Sequence, residues 1–148
     1  MLQVDIIAVA DHLRDAVPAF ASVALARDLS TVKRETIRWP SAWIVQLAET
    51  AGENRYASDD MIEQPVTGRI GVIMAVRDIA DRTGAQAGTD LKPLRAAVML
   101  ALGRFIPDEA DQAFRFSRGQ LISGVDAQGG LFWQDEYTLR FDRRIPLI

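Results

Sequence analysis

Residues 113–142 carry the alternation that most restricts what this chain can fold into. Leu131, Trp133, Tyr137, Leu139 and Phe141 occupy odd positions, while Gln134, Glu136, Thr138 and Arg140 occupy even ones. A period of two is that of a strand with one face buried. Upstream, the bulky residues Phe114, Phe116 and Ile122 sit on even positions. If both arms share one buried face, even residues of the first must oppose odd residues of the second, which requires a turn of even length. Residues 126–129, Asp-Ala-Gln-Gly, supply it. The resulting C-terminal β-hairpin sets Phe114 against Phe141, Phe116 against Leu139 and Ile122 against Trp133.

Two polar residues interrupt the apolar face, Arg118 in the first arm and Asp135 in the second. In this register they are diagonal neighbours. An unpaired carboxylate among Trp133, Tyr137 and Ile122 would be costly to desolvate, so the pattern predicts an Arg118–Asp135 ion pair or a hydrogen bond between Asp135 and Gln120. A β-bulge at Arg118 and Gly119 that turns both groups to water is the competing arrangement.

The rest of the chain supplies elements for this hairpin to join. Ile6, Val9, Ala10, Leu13 and Val17 recur at three and four, which predicts a helix beginning near Val4 and ending near Ala16, ahead of Pro18. Residues 22–29 read as a second short helix with Ser22 as N-cap. The polar residues 31–38 read as a surface connection, and residues 41–49 as a strand apolar on both faces. Residues 50–64 lack either period, and a loop of that length is commonly a contact element. It carries Asn54, Asp59 and Asp60. Residues 65–78 form a strand whose run Ile70-Gly-Val-Ile-Met-Ala-Val76 suits the middle of a sheet, with Gly71 admitting a close neighbour. Residues 80–89 read as a link, and Asp90 as the cap of a helix that carries Leu91, Leu94, Ala97, Val98, Ala101, Leu102 and Phe105 on one stripe and stops at Pro107. Together these predict one α+β domain over residues 1–148, with helices packed on one face of a mainly antiparallel sheet of about four strands.

The residue inventory excludes most chemistry. There is no cysteine and one histidine, so thiolate sites, disulfides and the common zinc ligand sets cannot be assembled. His12 reads as a solvated side chain of the first helix. Asp59, Asp60 and Glu63 lack the alternating oxygen ligands and glycine of a calcium loop, and Gly84 and Gly88 lack a phosphate-binding fingerprint. Asp135 and Glu136 are adjacent on a strand, so they point to opposite faces and cannot attend one substrate. No catalytic, cofactor-binding or metal-ligating set emerges. With 17 basic and 20 acidic side chains the net charge of −3 gives no general attraction to nucleic acid, although Arg115, Arg140, Arg143 and Arg144 make one end of the hairpin basic. Trp39, Trp43 and Trp133 read as core residues. The charged N-terminal stretch is unlike an export signal, no run is apolar enough to span a bilayer, and cysteine usage fits folding in the cytoplasm.

Several phrases together resemble the tail terminator, or tail completion, proteins of long-tailed bacteriophages. They are Ser41-Ala-Trp-Ile-Val-Gln-Leu-Ala-Glu49 followed by Ala51-Gly-Glu-Asn54, Arg69-Ile-Gly-Val-Ile-Met-Ala-Val-Arg77, Leu91-Lys-Pro-Leu-Arg95, and Gly130-Leu-Phe-Trp-Gln-Asp-Glu-Tyr137 with Arg140. The likeness runs over nearly the whole chain. It implies a structural virion protein with no cofactor and no reaction, forming a ring, typically hexameric, on the completed tail tube. Such a ring stops tube polymerisation and offers the surface to which the head-to-tail connector attaches, while DNA passes through it without sequence-specific binding. It places the protein in the tail and neck of the virion, after assembly in the host cytoplasm. Another neck, head-to-tail joining or tail tube protein is the alternative of the same class. Ring formation needs two different complementary patches. The outward face of the hairpin, Phe132, Gln134, Glu136, Thr138 and Arg140, is one candidate, with Arg69 and Arg77 as counterparts for Glu136. The segment bearing Asn54, Asp59 and Asp60 is the candidate flexible contact to tube or neighbour.

Overall fold

The computed structural model describes residues 1–26, 37–56, 59–78, 83, 85–124 and 130–148. Helix α1 spans Ile6–Ala16, and helix α2 spans Ala85–Gly103. The strands are β1 Ser22–Leu25, β2 Ser41–Ala51, β3 Met61–Arg77, β4 Arg115–Ser123 and β5 Gly130–Pro146. They form one five-stranded sheet in the order β1-β2-β3-β5-β4. β1 runs parallel to β2 and the other three pairings are antiparallel, so this α+β fold keeps the expected mainly antiparallel character but has five strands in a mixed sheet in place of about four.

The fifth strand comes from the segment read as a second helix. Ser22 to Leu25 pair with Ser41 to Ile44, and the Val23 side chain is buried. Four residues contain too little pattern to separate a helical stripe from an alternation, and pairing with an existing strand decides the outcome. Residues 27–29 of that expected helix, most of the 31–38 connection and the hairpin turn at 126–129 lie outside the described residues.

The longest pairing in the sheet is β3 with β5, unbroken from Met61 opposite Pro146 to Arg77 opposite Gly130. Each of these strands has 17 residues, so part of the expected long loop is strand. β2 continues to Ala51, β3 begins at Met61, and only residues 52–60 connect them. Asn54 organises this tip: its Oδ1 accepts from Tyr56 N (3.1 Å) and Glu63 N (2.8 Å), and its Nδ2 donates to Met61 O (3.3 Å). Pro65 is tolerated in β3 because the β2 pairing ends beside it, at Ala51 opposite Val66.

The β4–β5 hairpin exists, but its register departs from the expected one over most of its length. Phe116 faces Tyr137, not Leu139, and Leu121 faces Trp133 in place of Ile122, while Phe114 precedes the strand. Irregularities between Phe116 and Arg118 and between Leu121 and Ser123 shift the pairing twice. Each extra residue reverses which side chains face the core, an event that strict alternation cannot encode. Only Ser123 opposite Phe132, beside the turn, keeps the expected register.

Both helices lie on one face, here the inner face. Asp5 caps α1, its Oδ1 accepting from Ile7 N (3.0 Å) and Ala8 N (3.1 Å), and Val9, Ala10 and Leu13 turn inward. α2 starts five residues before Asp90, with Thr83 Oγ1 accepting from Ala85 N (3.3 Å) and Gln86 donating to Asp90 (2.9 Å). Pro93 therefore lies inside the helix, where it leaves the Thr89 carbonyl without its helical donor. The main core gathers Leu13, Ile44, Ile70, Met74, Leu102 and Tyr137 between helices and sheet. His12 is not a free surface residue. Its Nε2 lies 3.1 Å from Ala101 O and its ring stacks on Phe105 at 4.2 Å, which joins α1 to α2.

Candidate functional site

Strand register sorts the expected contact residues between the two faces. Pairing of Ile70 with Tyr137 and of Val72 with Asp135 places the odd residues of β5 on the inner face. Asp135 is fully buried there, and its partner is Arg95 of α2, not Arg118. Arg95 Nε donates to Oδ2 and Nη2 to Oδ1, both at 2.9 Å. Trp133 Nε1 donates to Oδ1 at 2.8 Å, and the Arg95 guanidinium lies 4.8 Å from the Trp133 ring centroid. Gly119 of β4 makes room for this cluster, since a Cβ at that position would lie 2.6 Å from Asp135 Oδ1 and 3.1 Å from Arg95 Nη2. The hydrogen bonds to Asp135 raise the Arg95 pKa above its ordinary value. Burial, then the Asp135 charge, pushes the neighbouring Tyr137 phenol well up, and its hydroxyl has no partner among the described residues.

Arg118 instead faces Glu136 across the outer side of the sheet, Nε to Oε2 at 2.6 Å, and also donates to Gln120 Oε1 at 2.8 Å. The Nε contact is short but not aligned as a hydrogen bond, so charge holds that pair. The residue inserted between Phe116 and Arg118 puts Arg118 and Asp135 on opposite faces, which removes both the expected ion pair and the Asp135–Gln120 bond. Sequence alone pointed to Arg118 because Arg95 is 40 residues away on a helix.

The outer face divides into two halves. Near the β1 end, Val45, Ile73, Ala75 and Phe132 form a second small core with Trp39 and Trp43 packed on it. Phe132 is fully buried, Gln134 lies against Gly71, and Glu136 is 6% exposed, so three of the residues expected to form an outward contact surface are closed in. Arg77 does not reach Glu136; its guanidinium lies 5.3 Å from the Trp39 ring centroid. Toward the other end β4 stops at Arg115 opposite Thr138, and β1 ends at Leu25 opposite Ile44. Beyond these points only β2, β3 and β5 continue, as a three-stranded arm tipped by residues 52–60.

The outer face at the base of that arm is open. Arg115, Thr138 and Arg69 stand in one row across β4, β5 and β3, with Arg140 two residues further along β5. Arg69, Arg115 and Arg140 are exposed, and their side chains have no hydrogen bond or ion pair among the described residues. The other basic residues expected at this end are engaged: Arg143 with Glu49 (2.8 Å) and the Leu2 carbonyl (2.8 Å), and Arg144 with Glu63 (3.5 Å). At the tip, Glu53 and Asp59 are exposed, while Asp60 O accepts from Leu147 N at 2.8 Å.

This arrangement suits docking between surfaces. A model of the phage tail terminator protein family matches residues 1–146. The chain belongs to the phage tail terminator family. It is thus a structural protein of the phage tail, working among other tail components as part of the virion. A search of curated proteins gave no match. No helix among the described residues is long and apolar enough to cross a membrane.

Proposed function

We propose that this tail terminator family member closes the growing tail tube as a ring of identical subunits, six by the family resemblance, and presents the far side of that ring to the head-to-tail connector. The observation that carries this reading is the family match over residues 1–146. The bare half of the outer sheet face and the arm beyond it support it, because a ring subunit needs two unlike patches that meet on neighbouring copies. The protein acts by assembly alone, without catalysis or cofactor, and the whole chain works as one domain. Subunits collect in the host cytoplasm, dock on the last ring of tube protein and leave DNA free to pass.

Tube capping follows if one side of the ring matches the tube protein and the other offers it nothing to bind. Its test is electron microscopy of tube protein polymerised with and without this chain. The expected result is shorter tubes with a distinct terminal ring. Tubes of unchanged length with no terminal density would overturn the reading, and extended tubes incorporating this chain would make it a tube protein.

A further inference from the structure

The arginines of the bare outer face are out of balance with their surroundings. Arg69, Arg115 and Arg140 join Arg118 on this face, and Glu136 is the one carboxylate that directly pairs with any of the four among the described residues. By strand spacing, Arg69 and Arg115 stand about 10 Å apart, and Arg140 about 7 Å along β5 from the row they define. Flat cationic surface of this kind attracts a group of fixed negative charge.

The same chain carries such groups at the tip of the arm, where the neighbouring Arg55 is engaged with Asp142 (2.9 Å) and Glu63 (3.7 Å). Glu53 and Asp59 project from the tip of the β2–β3 hairpin, exposed and unpaired among the described residues. The β2–β3 pairing, continued by Gly52 N donating to Pro65 O, sets Glu53 beside Gln64, about 17 Å along β3 from Arg69 at about 3.4 Å per residue, and Asp59 precedes Met61, about 27 Å away. An arginine side chain does not span either gap. A neighbouring copy set head to tail can bring tip and base together.

We infer that the outer-face arginines Arg69, Arg115 and Arg140 of one subunit receive the acidic hairpin tip, Glu53 and Asp59, of a second copy of this chain. The contact is heterologous, base to tip, so rotation can close it into a ring. It rests on the ring reading above and names the surfaces that form the ring. Charge complementarity makes assembly steep in salt, because exposed pairs are screened within about 3 Å at 1 M.

The test is native mass spectrometry of the full chain and of two variants whose fold is checked by circular dichroism. One is Arg69→Glu with Arg140→Glu, the other Glu53→Arg with Asp59→Arg. The wild type is expected to form rings that weaken with salt, and each variant to need at least tenfold more protein to assemble. An equimolar mixture of the two variants is expected to recover rings in which they alternate, because each supplies the charge the other has lost. Folded variants that assemble like the wild type would overturn the inference while leaving the ring reading intact. Loss in both variants without recovery in the mixture would also overturn it. An arginine variant that keeps its rings but loses retention on double-stranded DNA would assign the patch to nucleic acid instead. A wild type that forms no ring, alone or with tubes, would overturn the ring reading and this contact with it.

Discussion

Replacing Arg95 by Met tests the physical claim on which the β5 assignment rests, that Asp135 is tolerated inside the molecule only because α2 supplies a cation. Met keeps most of the aliphatic stem and removes the guanidinium. The change deletes two charge-assisted hydrogen bonds at 2.9 Å and a cation–π contact at 4.8 Å. Asp135, fully buried, is left with Trp133 Nε1 as its remaining side-chain donor among the described residues. Breaking a buried ion pair from one side costs about 3–5 kcal/mol. The Arg95 side chain is itself 30% exposed, so water screens part of the interaction and the lower end applies, about 3 kcal/mol. For a chain of this length that corresponds to a fall in Tm of roughly 6–12 °C. Urea denaturation with a constant m-value measures it directly. Asp135→Asn should cost less, about 1–2 kcal/mol, because the amide oxygen still accepts from Trp133 and Arg95 can turn to solvent. An R95M variant within about 0.5 kcal/mol of the wild type would refute the reasoning.

Three further outcomes follow from the same neighbourhood and from the helix contact. The Tyr137 phenol is held protonated by burial and by Asp135, so its folded pKa lies above that of the unfolded chain, about 10. The stability linked to this group is complete below pH 10 and is lost as pH rises toward the folded value, at up to about 1.4 kcal/mol per pH unit. Tyr137→Phe should flatten that alkaline limb and cost little at neutral pH, since the hydroxyl has no partner among the described residues to lose; alkaline urea titrations of both proteins check this. Gly119→Ala should destabilise by about 1–3 kcal/mol because its methyl meets Asp135 and Arg95, a cost read from thermal denaturation. His12→Ala should lose about 1–2 kcal/mol through the Phe105 stack and the Ala101 contact, with hydrogen exchange rising first where α1 meets α2.

What could be read from the sequence was whatever a short window contains. The α1 stripe and its end before Pro18, the apolar run of β3, the close approach at Gly71 and the odd-even split of β5 all appear in the structure because each follows from spacing within one element. Errors arose where the deciding partner is distant in sequence or where one inserted residue changes parity. β1 is a strand because β2 lies beside it, and Asp135 meets Arg95 rather than Arg118 because Ser117 is an extra residue in β4. The helical residues before Asp90 resemble a link because Gly84 and Gly88 lower local helix propensity, which packing of Ala87 and Leu91 overrides. Arg115 and Arg140 fall at one end of the hairpin in the sequence itself, whereas Arg69 joins their row only through the pairing of β3 with β5.

The run Trp133-Gln-Asp-Glu-Tyr137, which carries much of the family likeness, invites reading as a contact surface because it is polar. Its register argues the opposite. Trp133, Asp135 and Tyr137 turn inward beneath α2, Gln134 fits over Gly71, and Glu136 holds the bulged edge strand through Arg118. Five consecutive residues thus bind one helix and two neighbouring strands to β5. Each is satisfied or closed in by its own chain, so substitution there should act first on folding and only through folding on assembly. Surfaces that meet other molecules must instead keep groups their own chain leaves unpaired. On the outer face the side chains of the arginines at the base of the arm have no partner among the described residues, and under the contact inferred above charge reversal at Arg69 and Arg140 should change association while leaving thermal stability within about 0.5 kcal/mol of the wild type.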